Sequence, residues 1–290
     1  MVRQMRGPRA SLKMTDLDRD GGRELILRND GLYAVLSPRQ GGRLIYLFTR
    51  GPRGGALVVG NPTDDWNFQE EINRYMDRPA NHPGALADVG FEHDRYQTSL
   101  VDVDSHAFVE MTNVQAGSRM RGARKTVLLS PDGPALLVCY RLPEGFGAIE
   151  TEACLSPDYY RLLRWGRSGL SATSGGERRQ GARNGDVAVW LALAHDEDTR
   201  WGEPASPEVG HGLNVRARAN SEHFHLLLGC GEIDDEGCRA LLREGMDVLH
   251  EVGEEAEHTG ARRGRAVSRP VGPVRPSRRE PAAPGGGGER

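Results

Sequence analysis

The feature that most constrains this fold is a succession of short apolar runs separated by turn signals. The runs are rich in β-branched and aromatic residues, and dipeptides of Gly, Asn, Asp and Pro stand between them. This pattern predicts an all-β chain built as a large antiparallel sandwich or barrel. The runs are RELILR (23–28), LYAVLSP (32–38), RLIYLF (43–48), AFVEMTN (107–113), KTVLLSP (125–131), ALLVCYRL (135–142), AIETEACLS (148–156), VAVWLALA (187–194) and HFHLLLG (223–229).

Two segments instead have the apolar spacing of short helices. In residues 62–76, Thr63 or Asp64 would cap a helix that carries Trp66, Ile72 and Tyr75. The second segment is residues 234–252, in which apolar residues recur at helical spacing. We therefore expect one or two short helices beside the β-structure.

Composition divides the chain into three parts. Residues 1–15 are predicted to be a linker or a ragged N-terminus, and residues 16–255 a single β-sandwich domain. Residues 256–290 are rich in Arg, Pro and Gly with little to bury, which predicts a disordered tail.

Charge and composition exclude several classes of function. The net charge is −3, from 38 basic and 41 acidic residues, so no case for nucleic-acid binding arises. The chain has no apolar run long enough for a membrane span and no signal peptide, so we expect a cytoplasmic protein. Its four cysteines form no CxxC pair, and a disulfide framework is not expected. The basic residues include only two lysines, Lys13 and Lys125.

The order of motifs carries a resemblance to a known family. An acidic turn and a strand are followed by a strand ending in Ser37-Pro38, a Gly41-Gly42 turn and another strand. The segments RKTVLLSPDGPALLVCYRL and GAIETEACLSPDYYRLL continue the series. Over roughly residues 16–230 this order resembles the C-terminal β-domain of family-57 glycoside hydrolases, the α-amylase and 4-α-glucanotransferase group. The resemblance implies a galactose-mutarotase-like β-supersandwich.

The same resemblance implies a role in carbohydrate metabolism. In those enzymes the catalytic carboxylates belong to an N-terminal barrel, for which this chain has no room. We therefore expect a carbohydrate-binding accessory domain of a system that acts on α-glucans. Two alternatives remain open: a free-standing aldose 1-epimerase-like or other sugar-active enzyme of this fold, and a structural domain that binds a separate catalytic subunit.

The segment DLDRDGGRE is a candidate calcium turn. Asp16, Asp18, Asp20 and Glu24 alternate so that their oxygens could surround Ca²⁺, a cation that takes six to eight oxygen ligands. Leu27 occupies the position where an EF-hand needs a bidentate Glu, so the helix-loop-helix site is excluded. The alternative is a turn whose carboxylates accept hydrogen bonds from backbone amides.

Residues 64–96 hold the densest mixture of aromatic, acidic and imidazole side chains. Aromatic rings stack on sugar C–H faces, and polar groups bond sugar hydroxyls, so this long connection is predicted to contact carbohydrate. The alternative is a helix with a solvated acidic face and aromatic residues in the core. His82 and His93 are the candidates for acid–base catalysis. The predicted carbohydrate contacts are Trp66, Tyr75, His82, Asp88, His93 and Arg95.

Overall fold

Two large antiparallel β-sheets packed face to face form the protein. The computed structural model describes residues 9–17, 19, 21–51, 54–60, 84–103, 105–165, 167–194, 198–203 and 212–258. Sheet A has nine strands, with β6 pairing both β4 and β11 beside the main order β1-β2-β3-β4-β5-β11-β16-β15. These strands are β1 (Ser11–Thr15), β2 (Glu24–Arg28), β3 (Leu32–Ser37), β4 (Arg43–Gly51), β5 (Gly54–Val59), β6 (Ala85–Asp88), β11 (Ile149–Leu155), β15 (Thr199–Gly202) and β16 (Leu213–Ala219).

Sheet B has eight strands in the order β12-β13-β14-β17-β10-β9-β8-β7. They are β7 (Tyr96–Val103), β8 (His106–Asn113), β9 (Arg124–Leu129), β10 (Ala135–Arg141), β12 (Leu170–Gly175), β13 (Arg179–Asn184), β14 (Val187–Leu193) and β17 (His223–Cys230). Helix α1 (Tyr159–Trp165) and a 3₁₀ turn (Arg167–Gly169) connect β11 to β12, and helix α2 (Asp235–His258) follows β17.

The main core lies between the two sheets. Strand β16 alternates buried and partly exposed residues along most of its length, as expected when one face of a sheet is packed and the other meets solvent. The inward-facing residues come from nearly every strand and form one continuous apolar cluster.

Helix α2 covers part of the outer face of sheet B and creates a second core there. Its Leu242, Met246 and Leu249 pack over a cluster that includes Leu137 and Trp190. Strand β14 is therefore buried along its whole length, because one face meets sheet A and the other meets the helix. This double burial explains why β14 is continuously apolar instead of alternating.

Close approach and capping fix the position of α2. A Cβ atom on Gly245 would lie 2.5 Å from the Leu137 side chain, so glycine lets the helix approach the sheet. At the N-terminus, the Asp234 carboxylate accepts a hydrogen bond from the Gly237 amide at 2.7 Å. This is an N-cap, which satisfies an amide that has no partner inside the helix.

The all-β sandwich predicted from the sequence is confirmed, and all nine apolar runs are strands. The helix predicted at residues 234–252 is present and extends to His258, three residues beyond the predicted end of the domain at 255. The helix predicted at residues 62–76 lies outside the described residues. No helix in the described part of the chain is long and apolar enough to cross a bilayer.

The predicted linker or ragged N-terminus, residues 1–15, needs correction at residues 11–15, whereas residues 1–8 lie outside the described part of the chain. Residues Ser11–Thr15 form β1, which pairs along its whole length with β2. Leu12 and Met14 pack against the main core, while Lys13 between them is exposed. The alternation is that of an edge strand with one buried face, and the sequence analysis overlooked it because the strand is short.

Candidate functional site

The turn between β6 and β7, residues 89–95, is held against sheet A by backbone hydrogen bonds. The amide of Val89 donates to the carbonyl of Glu150 at 2.9 Å. Within the turn, Phe91 donates to the carbonyl of Asp88 at 2.8 Å and Asp94 to that of Phe91 at 3.0 Å. These bonds fix the Phe91 side chain beside the start of β11.

A cleft of about 340 Å³ opens next to this turn. The rings of Phe91 and Phe146 meet there with centroids 5.8 Å apart and planes tilted by 56°. The Arg119 guanidinium lies 5.1 Å from the centroid of the Phe146 ring, and it donates to the Phe146 carbonyl at 3.2 Å. We call this site the aromatic cleft; its lining residues are Val89, Gly90, Phe91, Arg119, Phe146, Ala148, Ile149, Glu150 and Arg218.

A charge ladder on sheet A forms one wall of the aromatic cleft. Glu150 lies opposite Arg218 and Glu152 opposite Arg216 in the register of β11 and β16. The Glu150 carboxylate pairs with Arg218 at 3.2 Å and with Arg216 at 3.0 Å. Arg216 also donates through Nε to Glu152 at 2.7 Å. The ladder holds Glu150 rigidly at the rim, with about a quarter of its side chain exposed.

Behind the turn lies a buried ion pair between the two sheets. Lys125 Nζ on β9 is 2.7 Å from Asp88 Oδ2 on β6, and both side chains are fully buried. The ammonium also donates to the carbonyl of Gly41 at 2.7 Å and to that of Leu86 at 2.9 Å. Lys125 Nζ therefore contacts three oxygens, two carbonyls as hydrogen-bond acceptors and the Asp88 carboxylate as its ion-pair partner. Tyr140 donates its hydroxyl to Asp88 Oδ1 at 3.1 Å.

Burial dominates the electrostatics of this pair. Desolvation raises the pKa of Asp88, and the charge and hydrogen bond of Lys125 oppose that rise. Desolvation likewise lowers the pKa of Lys125, and Asp88 opposes that fall. The rings of Tyr96 and Tyr140 each lie with their centroid 5.3 Å from Lys125 Nζ, and burial raises the pKa of both phenols. The cluster is closed off, so we interpret it as structural.

The backbone around Lys125 adopts unusual conformations. Leu86 has a φ of 60°, in a region that costs a bulky residue about 1–3 kcal/mol. Its carbonyl is one of the Lys125 acceptors, so the lysine bonds help to hold this conformation. The Gly41 carbonyl is the other acceptor of Lys125; Gly41 has a φ of 71°, and a Cβ there would lie 2.8 Å from the Glu92 carbonyl.

The predicted carbohydrate contacts are distributed between different environments. Asp88 is fully buried and paired with Lys125, so it does not have the surface position that the sequence analysis gave it. His93 and Arg95 are exposed in the turn that also carries Phe91. Trp66, Tyr75 and His82 lie outside the described residues.

The catalytic prediction concerned His82 and His93, of which only His93 is described. It precedes Asp94, whose carboxylate accepts hydrogen bonds from Asn113, at 2.7 Å, and from the Ser118 hydroxyl. These bonds anchor the end of the turn and leave the His93 side chain exposed. The catalytic role of these histidines stays a prediction.

The acidic turn is described at Asp16 and Glu24, whereas Asp18 and Asp20 lie outside the described residues. Asp16 Oδ2 accepts the Gly21 amide at 3.1 Å, and Glu24 Oε2 accepts the Leu17 amide at 2.9 Å. These bonds match the alternative of a turn closed by its carboxylates. Within the described residues, Asp16 Oδ1 is buried and has no hydrogen-bond partner, so it is an oxygen that could bind Ca²⁺.

Comparison with known proteins gives distant structural likenesses. No family model and no curated protein matches the chain. A 4-α-glucanotransferase from Thermococcus litoralis is 16% identical with a TM-score of 0.44, covering 77% of this chain and 39% of that one. A TPR-domain-containing protein from Parabacteroides distasonis is 12% identical with a TM-score of 0.44, covering 73% of this chain and 48% of that one. The periplasmic domain of Thermotoga maritima YidC is 12% identical with a TM-score of 0.43, covering 83% and 96%.

This chain thus spans less than half the length of the first two proteins. Identities this low assign neither a family nor an activity.

Sequence reasoning missed most of the aromatic cleft. It singled out residues 64–96, which include Phe91, but not Phe146 or Arg119, which come from later loops. The alternating Glu150-x-Glu152 and Arg216-x-Arg218 were available signals, because alternation on two strands predicts a ladder if the strands pair. The sequence does not show which strands pair. The structure shows that β16 lies beside β11, so the ladder forms.

Proposed function

We propose that this chain is a carbohydrate-binding accessory domain for α-glucans or similar sugars and that the aromatic cleft is its binding site. One observation carries the proposal: two aromatic rings in tilted contact lie beside a carboxylate and guanidinium groups in one open cleft. Aromatic rings bind the C–H faces of sugars, while Glu150 and Arg218 offer acceptors and donors to hydroxyls. The resemblance to family-57 enzymes supports the same class of ligand.

Within this proposal, each part of the cleft has a role. The partly exposed Phe91 supplies the stacking surface, and Phe146 supports it from below, since Phe146 is 8% exposed. Glu150 is held by two arginines and can accept hydroxyl hydrogen bonds without moving. His93 and Arg95 extend from the same turn and are proposed as further contacts.

Isothermal titration calorimetry with maltoheptaose and affinity electrophoresis in amylose test the proposal. Phe91→Ala should weaken binding about tenfold or more, since one stacking platform is lost. Glu150→Gln should weaken it less, because the amide retains an acceptor oxygen. Phe48→Ala is the matched control: Phe48 is a partly buried aromatic residue on β4 that does not line the cleft. Absence of binding by the unchanged protein, or equal binding by Phe91→Ala, would refute the proposal.

We also propose that the acidic turn binds Ca²⁺ through Asp16, Asp18, Asp20 and Glu24. The spacing of the four carboxylates and the buried unpartnered oxygen of Asp16 support it. Calorimetric titration with CaCl₂ should give heat for the unchanged protein and none for Asp18→Ala. Asp30→Ala, which alters an exposed aspartate in another turn, should titrate normally. Without heat in the unchanged protein, the turn is held by carboxylate–amide bonds alone.

A further inference from the structure

The outer strand of sheet B, β7, has backbone groups that point away from the sheet. The Val114 amide donates to the Arg95 carbonyl at 2.8 Å, which makes these two residues a hydrogen-bonded pair. Such pairs alternate along an antiparallel ladder, so the odd-numbered residues of β7 direct their backbone groups to β8. The even-numbered residues therefore point outward.

Two further bonds agree with this alternation. The Tyr96 amide donates outward to the Pro38 carbonyl at 2.7 Å, so the turn after β3 covers the edge as far as Tyr96. On β8, the Asn113 amide donates to Ala123 on the side away from β7. Beyond Tyr96, three residues direct their N–H and C=O groups to the open edge: Thr98, Leu100 and Asp102. No other strand of the described chain pairs with this edge.

The sequence of β7 lacks most of the features that usually protect a sheet edge. Natural edge strands are usually short, charged or interrupted by proline. Strand β7 has eight residues, no proline and no basic residue, and Asp102 is its single charge. Leu100, at its middle, is 51% exposed.

The other edge strands are shorter than β7 and have side chains that make pairing with another chain less favourable. Strand β1 has five residues with the exposed Lys13 at its centre, and β15 has four residues including the exposed Arg200. Strand β12 carries only small or polar side chains after Leu170. Strand β7 is therefore the edge that combines length with an exposed large apolar residue.

We propose that β7 pairs antiparallel with β7 of a second copy of this chain, with the two-fold axis at Leu100. Only residues whose backbone groups point outward can form hydrogen-bonded pairs with the second copy. An even-numbered residue of one β7 must therefore lie opposite an even-numbered residue of the other. With Leu100 opposite Leu100 of the second copy, Thr98 lies opposite Asp102. All outward N–H and C=O groups of both strands then find partners.

Both neighbouring allowed registers are worse. One sets Leu100 opposite Asp102, an apolar residue against an acidic one, and the other conflicts with a bond inside the chain. If Thr98 lay opposite Leu100 of the second copy, Asp102 would lie opposite Tyr96, whose amide already bonds Pro38. The Leu100-centred register has neither this conflict nor like charges opposite each other. It also places the two exposed leucines together, where they continue the inner face that Val109 begins on β8.

The dimer joins both copies of sheet B into one sheet and gives the assembly two aromatic clefts. A contact made by one short strand from each copy is small, and small interfaces are typical of weak, concentration-dependent association. The inference stands on the edge geometry and does not depend on the proposed carbohydrate function.

Sedimentation velocity of the full chain over a range of concentrations tests the proposal. The unchanged protein should shift from monomer to dimer as concentration rises. Leu100→Lys and Leu100→Glu should each remain monomeric, because like charges would face each other across the axis. An equimolar mixture of these two variants should form a heterodimer, since position 100 lies opposite itself. Thr173→Lys on the β12 edge is the control and should dimerise like the unchanged protein.

Circular dichroism melts show whether each variant is folded, and the exposure of Leu100 makes both substitutions compatible with folding. Monomer at every concentration overturns the proposal, and so does a dimer that survives Leu100→Lys. Failure of the mixture to associate, with dimer in the unchanged protein, overturns the Leu100-centred register.

Discussion

Lys125 is buried in a chain whose basic residues are nearly all arginine. Its position explains the choice of side chain. The compact ammonium contacts three oxygens, from Asp88, Gly41 and Leu86, whereas a guanidinium is planar and presents its donors in a fixed fork. The scarcity of lysine was visible in the sequence. The burial of Lys125 could not be predicted from it, because the partner oxygens come from a strand and a turn that are distant in the sequence.

Removing one partner of the buried pair should destabilise the protein strongly. Lys125→Met leaves Asp88 and two carbonyls buried without the ammonium, and we expect a loss of about 3–5 kcal/mol in the free energy of unfolding. The double variant Asp88→Leu with Lys125→Met should recover much of this loss. Urea unfolding followed by circular dichroism measures both.

Arg124→Met provides the control for Lys125→Met. Arg124 is the preceding residue, is 47% exposed and makes a loose pair with Glu110 at 3.6 Å. Its loss should cost less than about 1 kcal/mol. Equal destabilisation by the two variants would show that the buried pair contributes no more than a surface charge.

Two thiols, the buried Cys230 and the partly buried Cys139, predict alkaline destabilisation. Burial raises the pKa of Cys139 and Cys230 from 9.0 to about 12. Between these values the unfolded chain releases the thiol protons and the folded chain retains them, so stability falls as pH rises. From about pH 9 to about pH 11, the unchanged protein should lose about 1.4 kcal/mol per pH unit relative to Cys230→Ala. Urea unfolding at stepped pH checks this; parallel profiles would contradict it.

Among the elements, α2 depends on its N-cap. Asp234→Ala should cost about 1 kcal/mol, because the Gly237 amide loses its acceptor at the helix end. The acidic residues Asp235 and Glu236 in the first turn would remain to favour the helix dipole. Thermal unfolding compares this variant with Asp247→Ala, an exposed mid-helix change that should be nearly neutral. A larger loss for Asp247→Ala would exclude the capping role.

The elements also show which structure can be read from the sequence. Apolar runs such as those of β10 and β14 are strands because burial on one or both faces selects such residues. Strands β12 and β13 were not predicted: their sequences, LSATSG and RQGARN, are polar and small. Strand β13 is held by its pairing with β14 and β12 by its pairing with β13, and tertiary pairing leaves no local signal. The aromatic cleft could not be predicted for the same reason, because its residues come from separate segments that only the sheet topology brings together.

In the molecule as a whole, the two cores are closed by different elements. The main core is closed by the sheets themselves, whereas the outer core exists only because α2 returns over sheet B. Without the helix, Leu137, Trp190 and Leu227 would face solvent as one apolar patch. Apolar patches of this kind cause association in soluble proteins.

A chain ending at Glu232, before α2, should therefore bind the dye ANS and elute as aggregates in size-exclusion chromatography. A chain ending at His258 retains the whole helix and should behave like the full protein in both assays. The comparison separates the contribution of the helix from that of the residues after it. If the shortened chain stayed dispersed and bound no ANS, α2 would not be needed to cover the outer face of sheet B. Strand β14 would then be stable with one face in water.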